Sequence, residues 1–311
     1  MKDKCALTPG GRCFARSWTL RVFLTACLSL GLTSCAPPRF GRITIGAKNF
    51  TEQVVLGELV AQEIEAVSGK QVDRRFYLAG SYLCQQALVS GRIDGYVEYS
   101  GTALTAILKQ PLPPTHDGAQ VDATIAKLYQ QWYKVRVEPG LGFEDTFAMV
   151  VRGDDARRLS LKTISDVIPH AAEMRLGVGY EFQSRPDGLV GLEKAYGLRF
   201  AGQPRVMDLG LLYRALSAGQ VDIVAGNSTD GAIRSLGFTV LDDDRHYFPP
   251  YEAVPLFRED SLAAHPEIQI ALNRLAGKVS ASEMQAMNDA VDRKHVDVGV
   301  VVRRFRAGKG L

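Results

Sequence analysis

Disulfide chemistry is the first thing this chain has little of. Of its five cysteines, Cys5, Cys13 and Cys27 lie in the first 34 residues, and only Cys35 and Cys84 follow. A chain so poor in pairable thiols has to be held by its core rather than by cross-links. Roughly 275 residues beyond the leader suffice for that, and for two lobes. Histidine is equally sparse. His116, His170, His246, His265 and His295 include no pair at i,i+4 or H-x-x-H spacing, and none lies near Cys84 in the chain. A metal site or a Cys–His nucleophile is therefore poorly supported, and His295 reads as a surface residue of a polar C-terminal helix. No G-x-S-x-G, P-loop or correctly placed G-x-G-x-x-G occurs, which lowers the expectation of catalysis. No cofactor is implied. Past the leader no stretch holds 18 uninterrupted apolar residues, so no transmembrane permease is expected within this chain.

What is present begins with a sorting signal. Arg12, Arg16 and Arg21 precede the apolar run Val22 to Leu32, too short for a stable span and suited to a secretory h-region. Leu32-Thr33-Ser34-Cys35 matches a lipobox, in which Cys35 is diacylated and becomes the new N-terminus. The alternative is an ordinary cleavage site beside a chance cysteine. Ala36-Pro37-Pro38 then begins a short tether. On this reading residues 1–34 are a lipoprotein signal and 35–42 the tether. The leader carries five of the 37 Lys/Arg and one of the 34 Asp/Glu, leaving 32 basic against 33 acidic residues. The basic character of the whole chain belongs to the leader, and nothing points to nucleic acid.

The remainder alternates strand and helix. Ile43–Ile45, Arg75–Leu78 and Ile93–Glu98 read as strands, and Thr51–Val67 and Ser81–Val89 as helices stopped by Ser-Gly pairs. That order predicts an α/β fold with a largely parallel sheet. The grammar then repeats. ALVSGRIDGYVEYSGT from Ala87 aligns without a gap on ALSAGQVDIVAGNSTD from Ala215, an offset of 128 throughout. ITIGAKNF around Ile45 has a looser echo in MRLGVGYEF around Leu176. Either this is the common grammar of any α/β chain or it marks two similarly built lobes; the ungapped match favours the lobes. Ligands of open α/β sheets sit at the carboxyl ends of strands, so the loops after Ile45, Val97, Leu176 and Val224 should line one cleft. The crossings between lobes fall at Gly142–Phe147 and near Tyr247–Tyr251, where Pro249-Pro250 stiffens the backbone. Lobe I would be 41–145 plus 251–311, and lobe II 146–250.

The cleft loops are aromatic and cationic. Tyr99 ends a strand, Phe147 stands at the first crossing and Tyr251 follows the two prolines of the second. Rings around a desolvated pocket bind a quaternary ammonium through their quadrupoles, at roughly 0.5–2 kcal/mol per good contact. Lys48 and Arg185, one on each strand-to-helix loop, would suit a carboxylate. Tyr247 and Phe248 are expected to pack the crossing. On the residues alone, a betaine-like ligand is one option among several anionic or zwitterionic solutes.

The motifs GAKNFTEQVVLGELVAQEIE, IDGYVEYSGTAL, GFEDTFAMVV, FQSRPDGLVGLEKAYGL, DIVAGNSTDGAI and LDDDRHYFPPYEAVPLFR, in order over residues 43–305, resemble the substrate-binding proteins of osmoprotectant ABC importers, which take glycine betaine, choline, carnitine and related compounds. The resemblance implies a type II periplasmic-binding-protein fold, with two lobes, two crossings and the ligand cleft between them. It implies an aromatic cage of Tyr99, Phe147 and Tyr251, a carboxylate contact from Arg185 with Lys48 and Thr102 assisting, and Asp145 beside the cationic head. Where the family commonly has a fourth aromatic before STDG, this chain has Asn227, the repeat mate of Tyr99. A lost cage wall costs on the order of 1–2 kcal/mol, for which Tyr82 is a weak substitute. The implied partners are a quaternary-ammonium or zwitterionic solute, a membrane permease and its ATPase. The receptor itself would be a monomer, exported and held at a membrane by its lipid. The competing readings are a receptor for another zwitterion such as an amino acid, an extracellular sensor domain, and an enzyme on the same lobed fold.

Overall fold

A computed structural model describes residues 41–113 and 117–311, of which Arg42–Leu311 form one compact unit. The expected leader, the Cys35 lipidation site, the start of the tether and His116 lie outside the described residues.

Among the described residues, ten strands make two five-stranded sheets built to one plan. The first contains β1 (Thr44–Gly46), β2 (Asp73–Arg75), β3 (Gly95–Tyr99), β4 (Val135–Val137) and β10 (Ala253–Arg258), in the order β2-β1-β3-β10-β4. The second contains β5 (Phe147–Arg152), β6 (Leu176–Val178), β7 (Arg205–Val206), β8 (Ile223–Asn227) and β9 (Phe238–Leu241), in the order β7-β6-β8-β5-β9. The repeat is built in register. Helix Ser81–Val89 and strand β3 recur as helix Leu209–Ser217 and strand β8, each displaced by 128 residues. Both central strands are buried along their whole length, as sheets covered on both faces require.

The sheets are mixed rather than largely parallel. β1 pairs parallel with β2 and β3, and β6 with β7 and β8, but β10 and β5 run antiparallel to both of their neighbours. The reason is where these two strands come from. Each is entered directly from a crossing at the cleft edge, with no helix to carry the chain back to the far edge. The crossings also pair with each other, through the Glu144–Glu252 bridge and through Asp145 N–H to Tyr251 C=O at 3.1 Å. Two further expectations shift. The strand read at Arg75–Leu78 ends at Arg75, because Tyr77 and Ala79 take left-handed φ of 62° and 66°, which extended pairing does not accommodate. His295 sits in the turn between helices Ala281–Asp292 and Val298–Lys309, not in a helix, and is exposed.

Helix Thr51–Ser68 anchors the first sheet. Its apolar stripe, Val55, Leu56, Leu59, Val60 and Ile64, is buried, and Gly69 closes it at φ 69°. Helices Glu267–Leu275, Ala281–Asp292 and Val298–Lys309 pack against it. Glu63, fully buried there, is neutralised by Arg274 at 2.8 Å and Arg306 at 2.8 Å, the pairing a buried carboxylate needs. No described helix is long and apolar enough to cross a membrane.

Candidate functional site: an aromatic-lined cleft between the sheets

The loops after β1, β3, β6 and β8 converge on one cavity of about 270 Å³. Its walls include all eight residues expected there: Lys48, Tyr99, Thr102, Asp145, Phe147, Arg185, Asn227 and Tyr251.

Tyr99 is the last residue of β3 and is buried, and its hydroxyl donates to Glu52 at 2.7 Å. Phe147 is the first residue of β5 and lies opposite Asn227 in the ladder. Its ring meets Phe182 at 4.9 Å and Tyr251 at 5.7 Å, both edge-on, the favoured arrangement for aromatic pairs. Tyr251 is 2% exposed and donates to Asp187 at 2.6 Å. Gly101 lets the chain after β3 close over this crossing, since a Cβ there would stand 2.7 Å from the Pro250 carbonyl and 2.8 Å from the Tyr251 ring. Phe248 packs on Phe147, Phe182 and Tyr247.

The two cations lie against these rings. The Arg185 guanidinium carbon is 4.8 Å from the Phe147 centroid and 5.7 Å from that of Tyr251; the Lys48 ammonium is 4.7 Å from that of Tyr99. Neither is a free charge. Lys48, 1% exposed, is ion-paired with Glu98. Arg185 holds Asp187 through Nε at 2.9 Å and through Nη2, and Nη1 donates to Thr102 Oγ1 at 2.8 Å. Burial alone would raise the Asp187 carboxyl; the adjacent Arg185 charge outweighs it and holds that carboxyl below the usual range. Asp187 also accepts from Thr105 at 3.0 Å. A residue of the second sheet's side is thereby tied to the helical turn following β3.

Asp145 brings an acid to the cavity lining, with Glu52 and Asp230 close beside it. Asp145 is 5% exposed and accepts from Thr229 N–H at 3.2 Å and from the Ser228 hydroxyl at 3.4 Å. Burial, then the neighbouring Glu52 and Asp230, push its carboxyl well above the ordinary value. Glu52 accepts from Tyr99, from the Thr229 hydroxyl and from Asn288 at 2.9 Å, yet burial still raises it. Asp230, which accepts from Tyr213 at 2.7 Å and from Asn227 N–H at 2.8 Å, is lifted to about 7, chiefly by burial.

Sequence reasoning missed Glu52, Glu181, Phe182 and Asp187. Glu52 and Asp187 stand inside motifs already singled out, NFTEQ and SRPDG, but their pairings cross the cleft and leave no local pattern. Tyr82 belongs elsewhere. It is exposed on helix Ser81–Val89 and lines a separate groove, so it does not replace the aromatic missing at Asn227. Among the described residues no group of three or more His, Cys, Asp or Glu could hold a metal ion.

Two α/β lobes joined by paired crossings, with a ligand-sized cavity at the carboxyl ends of both sheets, define a periplasmic-type solute-binding protein. Residues 41–308 match the family described as the substrate-binding domain of the ABC-type glycine betaine transport system, and the chain belongs to that family. It is 32% identical over 284 residues to a carnitine transport binding protein, OpuCC, of Listeria monocytogenes, covering 89% of this chain and 91% of that one. It is 31% identical over 283 residues to a glycine-betaine-binding protein of Pseudomonas aeruginosa, covering 88% of this chain and 89% of that one. A crystal structure of a glycine betaine/carnitine/choline ABC transporter protein superposes with a TM-score of 0.72 at 31% identity, over 86% of this chain and 98% of that one.

Proposed function

We propose that this chain is the receptor of an ABC importer, capturing a quaternary-ammonium solute between lobes 41–145 plus 251–311 and 146–250. It then hands the solute to a membrane permease driven by a cytoplasmic ATPase, and no bond is made or broken. Lipidation at Cys35 would hold the monomer at the membrane from the extracytoplasmic side. The observation that carries the reading is the convergence of Tyr99, Phe147 and Tyr251 on one buried cavity. These rings already attract Lys48 and Arg185, and the same quadrupole attraction is open to a ligand cation that offers no N–H. The substrates named for the two curated relatives are of this chemical class.

Calorimetric titration with glycine betaine, choline and carnitine tests the reading. Tyr251→Phe, which keeps the ring, should retain most of the affinity, and Tyr251→Ala should lose roughly tenfold or more. Full affinity in Tyr251→Ala would remove the cage.

A further inference from the structure

The two helices that the repeat pairs are capped differently. Helix Leu209–Ser217 of the second lobe is capped by its own chain, since Asp208 accepts from Gly210 N–H at 3.0 Å. That is the usual way to satisfy the free N–H groups of a helix start. The residue 128 positions earlier is Gly80, which has no side chain to offer, and helix Ser81–Val89 has no acid in its first turn. Its N-terminus is closed from the other side of the cleft instead. Glu181, on the helical turn Tyr180–Ser184 after β6, accepts from Ser81 N–H at 2.8 Å across 100 positions.

Gly80 makes room for this contact. Its backbone, at φ −93° and ψ −172°, is extended and open to any residue, but a Cβ there would stand 2.3 Å from Glu181 Oε1. Burial alone would raise the Glu181 carboxyl; the charges of Lys48 and Arg185 and the Ser81 N–H outweigh it and hold that carboxyl below the ordinary range. Glu181 therefore meets the helix start as an anion, where the macrodipole favours one. Gly80 and Glu181 both line the ligand cavity, from opposite lobes. Parting the lobes would strip the cap from helix Ser81–Val89 and leave Asp208 in place on its own helix.

We propose, building on the two-lobe receptor reading above, that Glu181 is a positioning residue whose carboxylate latches the closed cleft by capping helix Ser81–Val89, and that residue 80 is glycine to admit it. The contact forms only on closure, so it slows ligand release rather than guiding ligand entry.

The test is calorimetry and stopped-flow binding on the purified full-length chain with glycine betaine, choline and carnitine, together with melting of the ligand-free protein. Glu181→Ala should weaken whichever of the three binds by roughly five- to tenfold, through the dissociation rate and not the association rate. Its ligand-free melting temperature should stay at the wild-type value. Gly80→Asp copies the arrangement of the second lobe, giving the helix a cap of its own and excluding Glu181. It should raise the ligand-free melting temperature by roughly 2 °C and still weaken binding by a similar factor. The double variant should bind no more weakly than Glu181→Ala alone. Unchanged affinity in a folded Glu181→Ala overturns the latch and leaves the receptor reading standing. So does a ligand-free melting temperature that falls in Glu181→Ala, with Gly80→Asp restoring both it and the affinity, since the cap would then be a fixed part of the fold. A folded wild type that binds none of the three overturns both.

Discussion

At the scale of single residues, the cleft concentrates acids that burial keeps from ionising normally. Asp230 is the clearest, lifted to about 7 first by burial and then by Glu52 and Asp292, against the stabilising hydrogen bonds of Tyr213 and the Asn227 N–H. Asp145 faces it as well. An unfolded aspartate titrates near 4. The native state therefore binds this proton more tightly than the unfolded chain does. The resulting stability is complete below about pH 4 and is lost as pH rises through about 7. Carboxylates held low by partners, such as Glu65 by Arg74 and Glu283 by Lys309, change stability at more acid pH and leave the window from 5 to 8 clear. Melting temperature should fall between pH 5 and pH 8. Asp230→Asn should flatten that fall by about 1–2 kcal/mol, allowing for the partial exposure of the residue. Parallel pH profiles of the two proteins would count against Asp230 as the source.

At the scale of elements, the close approach of the two sides of the cleft rests on a glycine. Helix Gly231–Ser235 of the second lobe meets helix Ala281–Asp292, which packs on Thr51–Ser68 beneath the first sheet. A Cβ on Gly231 would stand 2.4 Å from Asp289 N and 2.6 Å from Asp289 Cα. Backbone atoms cannot swing aside as a side-chain tip can, so Gly231→Ala forces the two helices apart. The contacts next to it cross the cleft: the Thr229 hydroxyl to Glu52, and Asn288 to the Thr229 carbonyl at 3.1 Å. Gly231→Ala should thus weaken ligand binding by roughly tenfold, with the wild-type helical circular-dichroism signal retained. Undiminished affinity would show that the lobes need not come this close to hold the ligand.

At the scale of the whole molecule, a ligand that touches both lobes stabilises the entire unit from Arg42 to Leu311. At a free concentration 100 times its Kd the gain is about 2.7 kcal/mol. For a chain of this size that corresponds to a rise in melting temperature of roughly 5–10 °C. A melting scan over choline and glycine betaine should show this shift for the wild type and a smaller one for Tyr251→Ala at the same ligand concentration. Equal shifts in both proteins would place the bound ligand outside the aromatic cleft.

Much of the architecture was legible in the chain itself. Strand–glycine–helix punctuation, apolar periodicity and an ungapped repeat are written among neighbours in sequence, and the 128-residue offset reappears element for element. Five of the cleft residues, Tyr99, Phe147, Tyr251, Lys48 and Arg185, were legible for the same reason, each at the end of a strand, in a loop beyond one, or at a crossing, whereas Thr102, Asp145 and Asn227 were pointed to by the family resemblance. Only the tertiary structure decided what those residues do to one another. Lys48 meets Glu98 across 50 positions, Arg185 meets Thr102 across 83, and Thr229 meets Glu52 across 177. Whether a cation is free for ligand or already neutralised depends on such contacts, and no local pattern encodes them. The antiparallel entry of β5 and β10 was hidden likewise, because strand direction follows from where the chain leaves the other lobe. The sequence by itself marked the loops and crossings that reach the cleft. The packing of two lobes determined that its cations are already paired and that burial raises the Asp145 carboxyl beside them, since electrostatic partnership is set by distance in space and burial rather than by distance along the chain.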